Sequence, residues 1–276
     1  MLPWVLRVTW ALLPLTLGPA LADRMDGWDH AVRTAGSVML WAGWAGVAVA
    51  TVVALPVCMA VTRLGAAGAV AVAGVAASPA VVVALVAAGA AARPEIAEWY
   101  VNGPAYPNER RYPLRVPGPL LLGPLWLAAG LVLGAPAAAV LLLAGKQWIA
   151  GALVLVLGGA AAAFAGRALF GLTRRWLVFV PAGVVLHDPL SLTDPVLFER
   201  SKIETLRAAP NDTDSLDLTQ GALGLAVEMI LTEKVPMVRA AGRKGAESGA
   251  SARLLFTPTR PGRVLAEAAD RRITVG

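Results

Sequence analysis

The chain has 276 residues, 57% of them hydrophobic and 15% charged, with a mean hydropathy of +0.65. Its net charge of +6 does not mark a nucleic-acid binder, because the basic residues stand at the ends of apolar runs or alternate with acids instead of forming a dense patch. The single cysteine, Cys58, excludes an intrachain disulfide and a multi-cysteine metal site.

Charge divides the sequence in two. The first 169 residues carry ten Lys/Arg and six Asp/Glu, the remaining 107 fourteen and twelve. An apolar half is followed by one of ordinary globular composition. A bilayer core of about 30 Å takes roughly 20 apolar residues per helix. On that measure, five spans are predicted, at about 4–21, 35–61, 64–92, 119–143 and 148–169. The third is too long for a straight crossing and should tilt or kink, with Pro79 as the place for a kink. The first has two readings, a retained helix or a signal peptide ending at "PALA" before Asp23. Charge favours the retained helix. With five spans, Arg24, Arg33, Arg93, Arg110, Arg111, Arg115, Arg167, Arg174 and Arg175 share one side, against Arg7, Arg63 and Lys146 on the other. The positive-inside rule then places the first set in the cytoplasm, with everything after residue 170.

Between the third and fourth spans, residues 93–118 form a predicted cytoplasmic loop rich in Tyr, Pro and Arg, containing "EWYVNGPAYPNERRYPLR". It holds every tyrosine of the chain, and its prolines restrict the backbone. Tyr100, Asn102, Tyr106, Asn108, Glu109, Arg110, Arg111, Tyr112 and Arg115 are its candidate contact residues. They would meet anionic lipid headgroups, a phosphate-bearing substrate or a partner protein.

From Arg174 the period becomes that of strands. "WLVFVPAGVVLHDP" reads as two strands about Pro181–Gly183, and "SKIETLRAA", "SLDL", "GLAVEMILTE", "VPMVRA" and "ARLLFTP" as five more. "AGRKGAESGASA", small and polar, is predicted to be a structureless loop. Pro261 opens a C-terminal helix with Val264, Leu265 and Ala268 on one face. The expected fold is therefore an α-helical membrane bundle plus a small α+β domain over 170–276. That domain is either a pleckstrin-homology-like barrel closed by its helix or an independent α+β fold.

"WYVNGPAYPNERRYPLR", "RRWLVFVPAGVVLHDPLSLTDPVLF" and "DLTQGALGLAVEM" resemble a family of multi-pass integral membrane proteins of high-GC actinobacteria to which no function is assigned. The likeness spans most of the chain. It implies membrane insertion and no catalytic residue.

Nothing in the residue pattern supplies a reaction. His187-Asp188 precedes Pro189, where Asp-Pro starts a turn. No metal-ligand spacing and no glycine-rich phosphate loop is present, so no metal, cofactor or catalytic residue is assigned. The middle spans lack the intramembrane carboxylates and histidines of a proton-coupled transporter. The sequence thus reads as a plasma-membrane scaffold or assembly factor without enzymatic activity. Its partners would be the lipid bilayer and a membrane or cytoplasmic protein. The alternative is an enzyme or transporter acting on a lipid or lipid-linked substrate.

Overall fold

A computed structural model describes residues 2–240 and 245–276 of the chain, which divide into two compact units. The helical unit comprises Met1–Tyr100 and Leu125–Phe170, and the β unit Val101–Pro124 and Gly171–Gly276.

The helical unit begins with α1 (Leu2–Met25), α2 (His30–Ala50), α3 (Pro56–Val75) and α4 (Val81–Ala92), followed by the short α5 (Pro94–Asn102). After a break come α7 (Pro124–Ala144) and a continuous run of α8 (Trp148–Leu153), a π-helical turn (Val154–Gly158) and α9 (Gly159–Leu172). Among the described residues, four helices are long and apolar enough to cross a membrane: α1, α3, α7 and the run Trp148–Leu172. This is a membrane protein with about four such helices, not the five expected.

The chain breaks at different places from those read in the sequence. The expected span at 35–61 is cut at Thr51–Leu55, because Pro56 cannot continue a helix but starts a new one at its first position. The expected span at 64–92 is cut between Val75 and Val81, a stretch that contains Pro79. Residues 30–92 thus form three helices where two spans were expected, although only α3 among them is long and apolar enough to cross, and this changes which charged residues share an end. Arg7 Nε donates to Thr51 O at 3.1 Å, and the Trp10 and Trp44 indoles each donate to the other's backbone carbonyl at 3.0 Å, so α1 and α2 run antiparallel. Arg63 Nε donates to Ala91 O at 3.3 Å, pairing the start of α3 with the end of α4. Arg7, Arg63 and Arg93 therefore share one end of the unit. Gly36 packs against Met25, Trp28 and Leu141, and Gly145 against Val32, so Arg24, Arg33 and Lys146 share the other. Small residues set the close approach of the helices: Ala73, Ala84 and Ala87 are fully buried, and a Cβ on Gly65 would collide with Val47.

The β unit has two four-stranded sheets and a final helix. The first sheet runs β1 (Arg110–Pro113), β2 (Trp176–Val180), β3 (Gly183–His187), β4 (Val196–Glu199), with every neighbour antiparallel. The second is ordered β5 (Ile203–Ala208), β7 (Val227–Ala240), β8 (Ala246–Phe256), β6 (Leu216–Asp217). A short α6 (Gly118–Leu121) follows β1, and α10 (Pro261–Asp270) ends the unit. Alternation drives the packing: Leu177 and Phe179 of β2, Val184 and Leu186 of β3 and Phe198 of β4 point inward to meet Leu206, Met229 and Leu254. Val264 and Ala268 of α10 complete this core. The barrel is not closed, and the sheets remain separate. Gly183 makes the β2–β3 turn possible: its φ is +154°, and a Cβ there would strike the Phe198 carbonyl.

Two departures from the sequence reading concern this unit. Residues 93–118 are not simply a loop, because β1 lies within them and pairs with β2 in the register Arg110↔Phe179 to Pro113↔Trp176. Tyr112 and Leu114 are core residues, so the compact unit includes 101–124 as well as the expected C-terminal stretch. The expected structureless loop is also different. Residues 241–244 lie outside the described residues, but Ala246–Ser251 belong to β8 and pair with Val235–Ala240. "GLAVEMILTE" and "VPMVRA" are accordingly parts of one strand. Backbone pairing orders this extension: Thr193 N–H donates to Val238 O and Ala240 N–H to Ser191 O, so β7 is held on both sides. Small, polar side chains do not prevent a ladder that the backbone satisfies.

Candidate functional site

The structure disperses the nine residues singled out in the segment. Tyr100 lies in the last turn of α5 and belongs to the helical unit, where its hydroxyl donates to Ala50 O at 3.0 Å. With its one proton so used, it accepts from Thr62 Oγ1 at 2.8 Å. Tyr106 stands in solvent, 78% exposed. Most of the others are engaged within the β unit. Asn102 mimics a neighbouring strand, accepting from Arg111 N–H at 2.9 Å and donating to Arg111 O at 2.8 Å. Glu109 receives Arg111 Nε at 2.7 Å, and that bond holds its carboxyl below the usual carboxylate range. The Arg111 guanidinium also covers the Trp176 ring at 5.4 Å.

Tyr112 is buried edge-on to Phe179 and donates to Glu267 Oε2 at 3.1 Å. Glu267 accepts Arg271 Nε at 2.7 Å, and Arg271 donates both terminal nitrogens to Asn108 O at 3.2 Å. This loop of bonds ties β1 to α10. Arg110 lies beside the Tyr112 hydroxyl. Arg115 faces elsewhere, its guanidinium against Gly224 and its carbonyl accepting Arg175 Nη1 at 2.7 Å.

His187 and Asp188 do not act as a pair. The His187 Nδ1 donates to Arg174 O at 2.6 Å, and its ring stacks on Trp176. Asp188 forms a buried two-pronged ion pair with Arg175 at 2.6 and 2.8 Å and accepts from Ser191 Oγ at 2.7 Å. Glu228 is likewise structural. Burial would raise its pKa, but hydrogen bonds from Ser215, Thr213 and Arg207 outweigh that and hold it ionised below the usual range. Among the described residues, no group of three or more His, Cys, Asp or Glu is placed to hold a metal ion.

A concave surface of the β unit lies elsewhere, an open groove of about 660 Å³ lined by Glu199, Arg200, Ser201, Arg272, Ile273 and Thr274 among others. A smaller cleft beside it shares Arg200 and Ile273 and adds Arg271. The end of α10 shapes the groove. Arg272 N–H donates to Ala269 O and Ile273 N–H to Ala268 O, the double bond of a helix stop whose turning residue is usually glycine. Here it is Arg272, at φ +58°. A side chain in that conformation costs on the order of 1 kcal/mol, and Arg272 is one of the residues lining the groove. Glu199 pairs with Lys202, leaving Arg200 and Arg272 as cations with no acidic partner among the described residues. Sequence reasoning passed over these residues. The available signal was "ADRRIT", a helix end with arginine where glycine is the common choice.

Comparison with protein-family models, with curated proteins and with solved structures finds no match to this chain.

Proposed function

We propose that this protein is a non-enzymatic scaffold of the plasma membrane whose β unit, on the cytoplasmic face, binds an acidic surface of a protein partner. The observation that carries the reading is the origin of β1, which arises between apolar helices and pairs with β2 beyond the last of them. Three chain connections, at Tyr100–Val101, Pro124–Leu125 and Phe170–Gly171, link the β unit to the helices. A unit so tethered has lost much of its freedom before any partner arrives, and that lowers the entropic cost of docking. Two sheets and a C-terminal helix support a likeness to pleckstrin-homology-like binding modules, although the sheets stay apart. Arg200 and Arg272 supply the charge for the partner, by electrostatic complementarity across the groove. The arginine-rich end of the helices supports the cytoplasmic assignment.

The test is a photo-reactive residue at Ser201 in the full-length protein in its native membrane. A discrete protein adduct is expected, and Arg200→Glu with Arg272→Glu should abolish it. Absence of an adduct, or one indifferent to both arginines, would overturn the groove as the binding surface.

A further inference from the structure

We infer that the loop Leu218–Val227 of the β unit is a membrane-contacting element whose Leu223 and Leu225 enter the interfacial layer of the bilayer. Two segments make the case. Val116–Gly123 and Leu218–Val227 contain no charged residue, although they belong to the charge-rich part of the fold. The structure joins them. Gly118 N–H donates to Gly221 O at 3.0 Å, and Pro117 bridges Ala222. The approach depends on glycine, because a Cβ on Gly118 would stand 2.6 Å from the Gly221 carbonyl oxygen and 3.4 Å from Leu223 Cγ.

Apolar side chains crowd the junction yet face outward: Leu122 is 90% exposed, Leu223 68% and Leu225 51%. Scattered leucines of this kind are ordinary on a protein surface, but three on adjoining segments that carry no charged residue of their own mark a contact. Chain continuity identifies the occupant. Leu122 lies two residues before Pro124, the first residue of α7, and even an extended chain spans only about 7 Å over that distance. Helix α7 is strongly apolar and almost none of it is buried in protein, so its surface is suited to lipid. The interfacial layer on each side of a bilayer core is about 6 Å deep or more. Leu122 falls within it, and the loop bonded to Gly118 is held beside it. Arg115, its guanidinium packed on Gly224, stands next to the loop where anionic headgroups would be met. Gly224 itself, at φ +119°, leaves no room for a side chain between loop and arginine.

The experiment places an environment-sensitive dye on single cysteines of the full-length protein in lipid nanodiscs, in a Cys58→Ala background. Leu223→Cys and Leu225→Cys are the test positions, either sufficing if the other misfolds. Leu122→Cys calibrates the interface, and Leu197→Cys, an exposed residue of β4, serves as comparison. The expected result is blue-shifted emission at the loop, quenched by brominated phospholipid within about twofold of Leu122. Emission typical of water overturns the inference. So does a blue shift that brominated lipid does not quench, which would mean a protein neighbour such as a second copy of the chain. Neither result bears on the arginine groove, which the photo-crosslink tests separately.

Discussion

Tyr112 donates a hydrogen bond to Glu267 across 155 residues of sequence, joining a strand that precedes α7 to the last helix of the chain. The bond explains why an otherwise polar segment carries aromatic residues: one of them is core. Tyr112→Ala should destabilise the β unit by about 3–5 kcal/mol, as loss of a buried aromatic ring does. Tyr106→Ala, at a 78% exposed position, should stay within about 0.5 kcal/mol. Limited proteolysis near Gly171–Arg175 of the full-length protein reads the difference. Equal digestion of the two variants would refute the assignment.

The same tyrosine makes the unit alkali-sensitive. Burial, reinforced by the Glu267 carboxylate, pushes its pKa up to about 12. A raised tyrosine pKa means that the folded state keeps its proton where the unfolded chain, titrating near 10, has lost it. Its contribution is complete below about pH 10 and falls away up to about pH 12, on the order of 2–3 kcal/mol in all. Tyr112→Phe should flatten that part of the stability profile while costing about 1 kcal/mol at neutral pH. An unchanged alkaline limb in denaturation curves would count against the shift.

Because β1 is supplied from upstream, residues 174–276 expressed alone should fail to fold into a soluble domain. They lack Tyr112 and Leu114, and β2 is left as an open edge. Fusing residues 101–117 ahead of the fragment through a flexible linker should restore a cooperative transition. A fragment that folds equally well without them would show β1 to be dispensable.

Arg175 and Asp188 are both nearly inaccessible, with side chains 2% and 0% exposed. Removing one partner strands the other charge in the interior, so Asp188→Ala should cost about 3–5 kcal/mol. Arg175→Met together with Asp188→Leu should cost less than the two single changes added. Strict additivity in urea denaturation would argue that the pair is not coupled.

Helix order predicts the membrane sidedness. Exchanging Arg24 and Arg33 for Arg7 and Arg63 leaves the charge count at nine against three, now with the start of α1 on the arginine-rich side. A reporter active only outside the cytoplasm should be silent after Ala54 and Gly276, and active after Gly27 and Gly145. Activity after Ala54 would restore the five-span arrangement read from the sequence.

Helices long and apolar enough for a membrane, a change of character near residue 170 and the start of most strands are all legible in the residue pattern. Those properties are local: apolar length for a span, alternation for β2 and β3, and Pro261 with the Val264 face for α10. The residue pattern also identifies a turn at Asp188, since Asp-Pro carries that preference in its own backbone.

Which segment completes the first sheet becomes apparent only once the chain is folded. Arg110–Pro113 is too short to announce itself as a strand, and its partner lies more than sixty residues away, beyond further apolar helices. Pairing at that distance leaves no periodic trace. The same holds for Ala246–Ser251, whose small polar side chains describe a loop until the backbone of Val235–Ala240 is laid beside them. The groove at Arg200 and Arg272 and the junction of Gly118 with Gly221 also arise from segments far apart in the chain. Hydrogen-bond partners and close approaches belong to pairs of residues, and a sequence displays the members of a pair without their meeting.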